Sequence, residues 1–352
     1  MNKTVKILIL FLIIGGCIIV ESAYALQQAP WYTEGDFAPS TRIEVTIKNP
    51  LESDRKNTPI TIPREDLPFT NFGPRELVVV DPSLPPSSEP TRKEKLMFGG
   101  HLPQEEKNGS AIPYQLDDMT RDGSWDELFF MIDLNPGEEK TIYLYLGYNN
   151  RGMYSHETFA AVGSYGRHPV PMWESELVTW KLWYPTDVDI QAKRNPMLNG
   201  YYSIVNNMSG YHFSQEKGTD LMTVSTSFGG GGIGLFEFAR PDTISRPRFS
   251  PHRFSGPVEN TRYVFEVVSS GPIRSIVRVI TRNWRTGQGE YELEQYYTAY
   301  KDKYYSTCEV RYTKWIPENG NTDFAAGIRK IMFESDNYNE EGVIISTARN
   351  MP

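Results

Sequence analysis

The sequence predicts an all-β fold, built as an N-terminal β-sandwich followed by a large antiparallel supersandwich. Three observations carry this. Short runs alternate apolar and polar residues with period two, as in R-I-E-V-T-I-K at 42–48. Turn-forming residues punctuate those runs, with 28 Gly and 25 Pro among 352 residues. No capped segment of helical period runs longer than about ten residues.

The first element is a targeting segment over 1–25. Lys3 and Lys6 give a positive start, 7–20 is an apolar run, and Ala23-Tyr24-Ala25 is a small-x-small cleavage site before Leu26. The competing reading is a lipoprotein anchored through Cys17. It is disfavoured because the apolar run continues through Ile18, Ile19 and Val20. The expectation is a periplasmic or secreted protein with no nucleic-acid partner and no membrane attachment beyond this segment.

The N-terminal domain is expected over 26–150. Its first strand, 42–48, runs into Asn49-Pro50, a turn signal. Further strands are predicted at 58–63, 76–82, 111–116, 127–133 and 140–146, with the Pro-rich connector 83–91 between them. That spacing suits a sandwich. Residues 149–168, rich in Gly, Tyr and polar side chains, are the expected linker.

The second domain is expected over 168–352. Strands are predicted at 177–184, 201–206, 221–227, 261–268, 273–281, 290–300 and 304–315, with a last one at 342–346. Runs as long as 290–300 belong to broad antiparallel sheets. The four glycines at 229–232 imply a loop or a close backbone approach.

Charge and cysteine content narrow the function classes. Thirty-six basic against 44 acidic residues give a net charge of −8, which argues against a nucleic-acid surface. Once the leader is removed, Cys308 stands alone, so no intramolecular disulfide can form. The chain has no zinc-spaced Cys/His cluster, no phosphate loop and no nucleophile elbow.

The densest chemistry lies at 173–232: W-E-S-E-L-V-T-W-K-L-W-Y, D-V-D-I-Q-A-K-R, G-Y-H and K-G-T-D-L. Aromatic faces beside carboxylates and imidazoles suit a sugar, because the ring covers its C–H face while polar groups reach its hydroxyls. Trp173 is thus a candidate platform, with core packing as the alternative. Glu174 is a candidate acid, with a salt-bridged strand residue as the alternative. Asp187 and Asp189 alternate with apolar neighbours, so both face one side of a strand, either a solvated face or a hydroxyl-binding one. Asp220 caps a turn or orients His212.

A second constellation runs over 117–127. From Asp118 the spacing offers Asp118, Thr120, Asp122, Gly123, the Ser124 carbonyl and Asp126, which follows the opening of a calcium loop. Phe129 stands where a bidentate carboxylate is needed. The alternative is a polar hairpin between 111–116 and 127–133.

These motifs resemble the bacterial family catalogued as domain of unknown function 4861. The matching pieces are W-E-S-E at 173–176, D-V-D-I at 187–190, Y-H at 211–212, G-T-D-L at 218–221 and the glycine run. N-P-L at 49–51, I-P-Y-Q-L-D-D at 112–118 and D-G-S-W-D-E-L at 122–128 match as well. The resemblance implies exported proteins of polysaccharide-degrading bacteria, similar to oligosaccharide dehydratases, with a galactose-mutarotase-type supersandwich. This chain is short for that fold, so the expectation is a supersandwich truncated at its C-terminus.

The implied reaction is β-elimination on a uronic-acid-containing oligosaccharide. It needs a cation on the carboxylate, a base for the C5 proton and an acid for the departing oxygen. His212 is the first choice for proton transfer, with Tyr211, His168, Glu174 and His252 as further candidates. Arg167 and Arg253 suit the carboxylate. No cofactor is required, and a structural calcium on Asp118, Asp122 and Asp126 is the one metal the spacing offers, with the polar hairpin as its alternative. The alternatives are a non-catalytic glycan-binding protein and a glycoside hydrolase using Glu174 and Asp220.

Overall fold

The computed structural model describes residues 3–10, 31–32, 37, 39–85, 108–148, 154–165, 168–183, 187–200, 218–221, 224, 227–237, 244–247, 260–286, 288–318, 322–330, 334–340 and 342–348. Among the described residues the named regular elements are strands, apart from a 3-10 turn at Arg64–Asp66. The chain divides into two compact units, Met1–His156 and Glu157–Pro352.

In the first unit, β1 (Lys3–Leu10) runs parallel to β2 (Thr41–Lys48), which pairs antiparallel with β8 (Glu139–Leu146). The sheet continues through β4 (Leu77–Asp81) to β5 (Ser110–Ala111). A second sheet joins β3 (Arg55–Pro63), β7 (Glu127–Leu134) and β6 (Tyr114–Asp117). Alternation explains how the two sheets meet. Ile43, Val45 and Ile47 of β2 point the same way and pack, fully buried, against Ile60, Ile62, Leu128 and Phe130. Asn49 forms the expected turn: its Nδ2 donates to the Ser53 and Asn135 carbonyls at 2.9 and 2.8 Å, and its Oδ1 accepts from Leu51 N.

In the second unit, one five-stranded antiparallel sheet has the order β13-β12-β11-β10-β9. Its strands are β9 (Thr158–Tyr165), β10 (His168–Ser175), β11 (Val178–Trp183), β12 (Asp187–Lys193) and β13 (Gly218–Asp220). A small sheet joins β15 (Ile244–Ser245), β14 (Gly232–Glu237) and β20 (Thr322–Gly327). The long sheet is the meander β16 (Arg262–Ser270), β17 (Arg274–Arg285), β18 (Gly289–Tyr300) and β19 (Ser306–Pro317). A closing hairpin pairs β21 (Glu334–Glu340) with β22 (Val343–Ala348). Trp173, Trp180, Leu182 and Val188 pack on Val277, Val279, Tyr297 and Ala299, so the five-stranded sheet lies on the meander. Ile233 and Leu235 pack on Trp284, Tyr291 and Leu293 of the same meander.

Two differences from the sequence reading have physical causes. The expected linker 149–168 contains β9, whose run T-F-A-A-V-G-S-Y has too little alternation to announce a strand. β10 carries Pro169 and Pro171, which argue against an internal strand. The structure accommodates them because β10 pairs with β11 only over Met172–Glu174, beyond both prolines.

The glycine run does both things expected of it. Gly229 forms a parallel bridge to Val188 with φ 61°, and Gly230 N donates to the Val188 carbonyl at 2.7 Å. A Cβ on Gly229 would stand 2.1 Å from that carbonyl oxygen, so only glycine lets the backbones approach. Gly232 then opens β14.

Candidate functional site on the five-stranded sheet

The second face of the five-stranded sheet, turned away from the meander, is buried and charged. Val188 of β12 faces the core, so Asp187, Asp189, Gln191 and Lys193 share the opposite face. By the same alternation β11 adds Thr179, Lys181 and Trp183. Asp187, Asp189, Gln191, Thr179 and Lys181 are each less than 5% exposed. The solvated alternative for Asp187 and Asp189 is therefore corrected, because both carboxylates are withdrawn from water.

Register sets the pairs. Lys181 lies opposite Asp189, and Nζ meets Oδ2 at 3.1 Å, with the ammonium 5.1 Å from the Trp183 ring centroid. Burial pulls the Lys181 pKa down, against the carboxylates of Asp189 and Asp220, which hold it up. Asp220, half-buried, stands opposite Gln191. Arg246 reaches Asp187 with Nη1 at 3.2 Å, donates to the Ser227 carbonyl, and lies 4.7 Å from the Phe228 centroid. The result is a buried array in which each cation is paired with a carboxylate, Lys181 with Asp189 and Arg246 with Asp187.

Glu174 has a different role from the one its sequence neighbours invite. It is 1% exposed and accepts from Lys193 Nζ, from Thr179 Oγ1 at 3.0 Å, and from the backbone N–H groups of Asn199 and Gly200 at 3.2 and 3.0 Å. Lys193 Nζ also donates to the Ser175 and Met197 carbonyls at 2.6 and 2.7 Å. Every donor of the ammonium is used, so the pair is a buried clamp. Trp173 is fully buried, packed on Tyr297 with ring centroids 4.7 Å apart and planes tilted by 32°, and its Nε1 donates to Ser306 Oγ at 2.7 Å. With no exposed face it belongs to the core.

His168 opens β10 opposite Tyr165, and its side chain lies outside the described residues, as do Arg167, Tyr211, His212, His252 and Arg253. Lys181 and Lys193 are the residues that sequence reasoning missed. For Lys181 the signal was the complementarity of T-W-K-L with D-V-D-I across an antiparallel register, whereas the partner of Lys193, Glu174, lies two strands away on β10.

In the first unit, the acidic run forms a tight turn between β6 and β7. Asp118 accepts from Asp122 N and Gly123 N at 3.1 and 2.9 Å, Asp122 from Ser124 N at 2.8 Å, and Asp126 from Thr120 N at 2.8 Å. Arg121 and Gly123 supply the positive φ the turn requires. Among the described residues, one carboxylate trio converges within 4.8 Å, and it lies elsewhere: Glu157, Glu176 and Asp302.

Lys301 meets Glu157 at 2.8 Å, and Asp302 N donates to Glu176 Oε1 at 2.9 Å. Glu176 has its pKa pushed up to about 7, first by burial and then by the Asp302 carboxyl beside it. The sign follows. Between its ordinary 4.5 and about 7 the folded chain keeps this proton while the unfolded chain releases it, so stability falls as pH rises through that window. Melting temperature measured across it should decline in the wild type and decline less in Glu176→Gln. Equal slopes would show that the proton resides elsewhere.

No curated protein matches the chain. A solved structure of a protein in glycosyl hydrolase family 38 from Enterococcus faecalis is similar at 9% identity and TM-score 0.38. The match covers 79% of this chain and 32% of that one, so the chain spans about a third of that protein's length. Residues 103–350 match the family described as domain of unknown function (DUF4861), and the chain belongs to it.

Proposed function

We propose that this is an exported carbohydrate-active protein that performs β-elimination on uronic-acid-containing oligosaccharides, as a dehydratase or lyase. The observation that carries the reading is the buried charged face of β11 and β12, where Lys181–Asp189 and Arg246–Asp187 stand side by side with Asp220. A neutral sugar does not need cations held inside a sheet face. A uronate does, because neutralising its carboxylate is what makes the C5 proton acidic. In this reading Arg246 faces the carboxylate and Asp220 accepts from hydroxyls, Lys181–Asp189 is the buried pair that fixes the face beneath them, and His212 carries the proton, with Tyr211, His168 and His252 as the other proton carriers.

The hydrolase alternative needs two carboxylates free to act across one bond. Glu174 is not free, since Lys193, Thr179 and the Gly200 amide occupy it. Incubation with a panel of uronic-acid oligosaccharides, read by mass and by ultraviolet absorbance, tests the proposal. Loss of one water from an intact oligosaccharide, with a new conjugated chromophore, is expected of a dehydratase. Chain cleavage with the same chromophore is expected of a lyase. Products that have gained water would overturn elimination, and binding without turnover would favour the glycan-binding alternative. N-terminal sequencing of the secreted protein checks the export half of the reading, with Leu26 the expected first residue.

A further inference from the structure

At the open end of the β16–β17 ladder, Asn260, Arg262, Asn283 and Arg285 line a cavity of about 300 Å³. Its backbone is specialised. Asn260 and Asn283 both hold left-handed conformations, at φ 65° and 55°, and the register shifts between Thr281 and Trp284. Such a bulge re-aims the side chains that follow it. Trp284 points into the core, which turns Arg285 to the outer face.

Glu290 and Glu292 of β18 supply carboxylates to Arg285 and to the Asn283 N–H, and the other two arginines at this end lack one among the described residues. Arg262 lies directly opposite Arg282 across the ladder, a like-charge juxtaposition that destabilises a bare sheet. Arg262 donates to the neighbouring Thr261 carbonyl at 3.1 Å, and among the described residues neither Arg262 nor Arg282 has a carboxylate partner. Arg285 is held by Glu290 at 2.7 Å with its side chain 65% exposed, so it is oriented and still open to a ligand. Two guanidinium and two carboxamide side chains line this one cavity, and guanidinium is the group that pairs an oxyanion bidentately. The volume sits at the low end of the roughly 300–1,000 Å³ typical of small-ligand sites, which suits one sugar unit rather than a long chain.

We infer that this cavity is an anion subsite for a glycan, taking the carboxylate of a uronate or the sulfate of a sulfated sugar. It deepens the reading above, since it gives the same substrate class a second anionic contact on a different sheet. The full-length chain is titrated calorimetrically with trigalacturonate, with a sulfated galactose oligosaccharide and with neutral galactotriose. The wild type should bind at least one anionic ligand and discriminate against the neutral one. Arg262→Gln should weaken that anionic binding by roughly tenfold or more, the scale of one lost charge-assisted contact, and leave the neutral ligand unaffected. Arg285→Gln is the second variant, and matched melting curves establish that both are folded.

A preference for trigalacturonate identifies the carboxylate, and a preference for the sulfated ligand identifies the ester. Anionic binding no stronger than neutral binding, or wild-type affinity in both variants, overturns the subsite. The two proposals fail separately. A wild type that binds through Arg262 but forms no unsaturated product overturns elimination alone. A wild type that eliminates while Arg262→Gln and Arg285→Gln bind normally overturns the subsite alone.

Discussion

Lys193→Met should destabilise the second unit by about 3–5 kcal/mol, the cost of leaving a buried charge without its partner. Glu174 would keep its bonds from Thr179 and the Gly200 amide but lose the cation beside it, in a site 1% exposed. Glu174→Gln should also destabilise, because Lys193 would then lack its carboxylate. Combining Lys193→Met with Glu174→Leu should cost clearly less than the sum of the single changes, since removing both charges removes the desolvation problem. Guanidinium denaturation followed by tryptophan fluorescence measures this, with Trp173 and Trp180 of the same core as reporters. Single-variant losses under about 1 kcal/mol would instead place the pair with exposed, weakly coupled ions.

His212→Ala should reduce turnover on the uronate substrate by roughly 10²–10⁴-fold, the range for losing a general acid or base. Affinity for the unreacted oligosaccharide should change little, because a group that works in the transition state adds little to ground-state binding. This prediction depends on the elimination reading and on the position of Tyr211-His212 between the aromatic strand segments and G-T-D-L. Glu174→Gln provides the contrast: any activity it loses should track lost folded protein. A near-normal rate in folded His212→Ala would move the proton transfer to His168 or His252.

The readable parts of this chain were those in which a strand has one buried face. R-I-E-V-T-I-K announced β2, and Asn49-Pro50 announced the turn that follows it. β10 was not readable, because Pro169 and Pro171 mask a strand whose pairing with β11 begins after them. The site was half readable for a related reason. D-V-D-I shows that Asp187 and Asp189 share a face, but a single strand cannot show that Lys181 lies across from Asp189. Trp173 and Glu174 drew attention for their chemistry, and both do structural work: one packs on Tyr297, the other closes on Lys193. Burial, which decided between these readings, depends on long-range pairing that local sequence does not contain.

The Lys193 clamp also makes the protein its own opening clock. An amine-acylating reagent needs a neutral, reachable nitrogen, and this one has no exposed side-chain surface and spends its donors on Glu174, Ser175 and Met197. Lys56, 64% exposed, should be modified within the first moments of labelling. Lys193 should be modified only when it leaves Glu174 and Ser175 of β10, which requires the sheet to open at β11 between them. The ratio of the two labelling rates, read by peptide mass, would then report how often this sheet opens under native conditions.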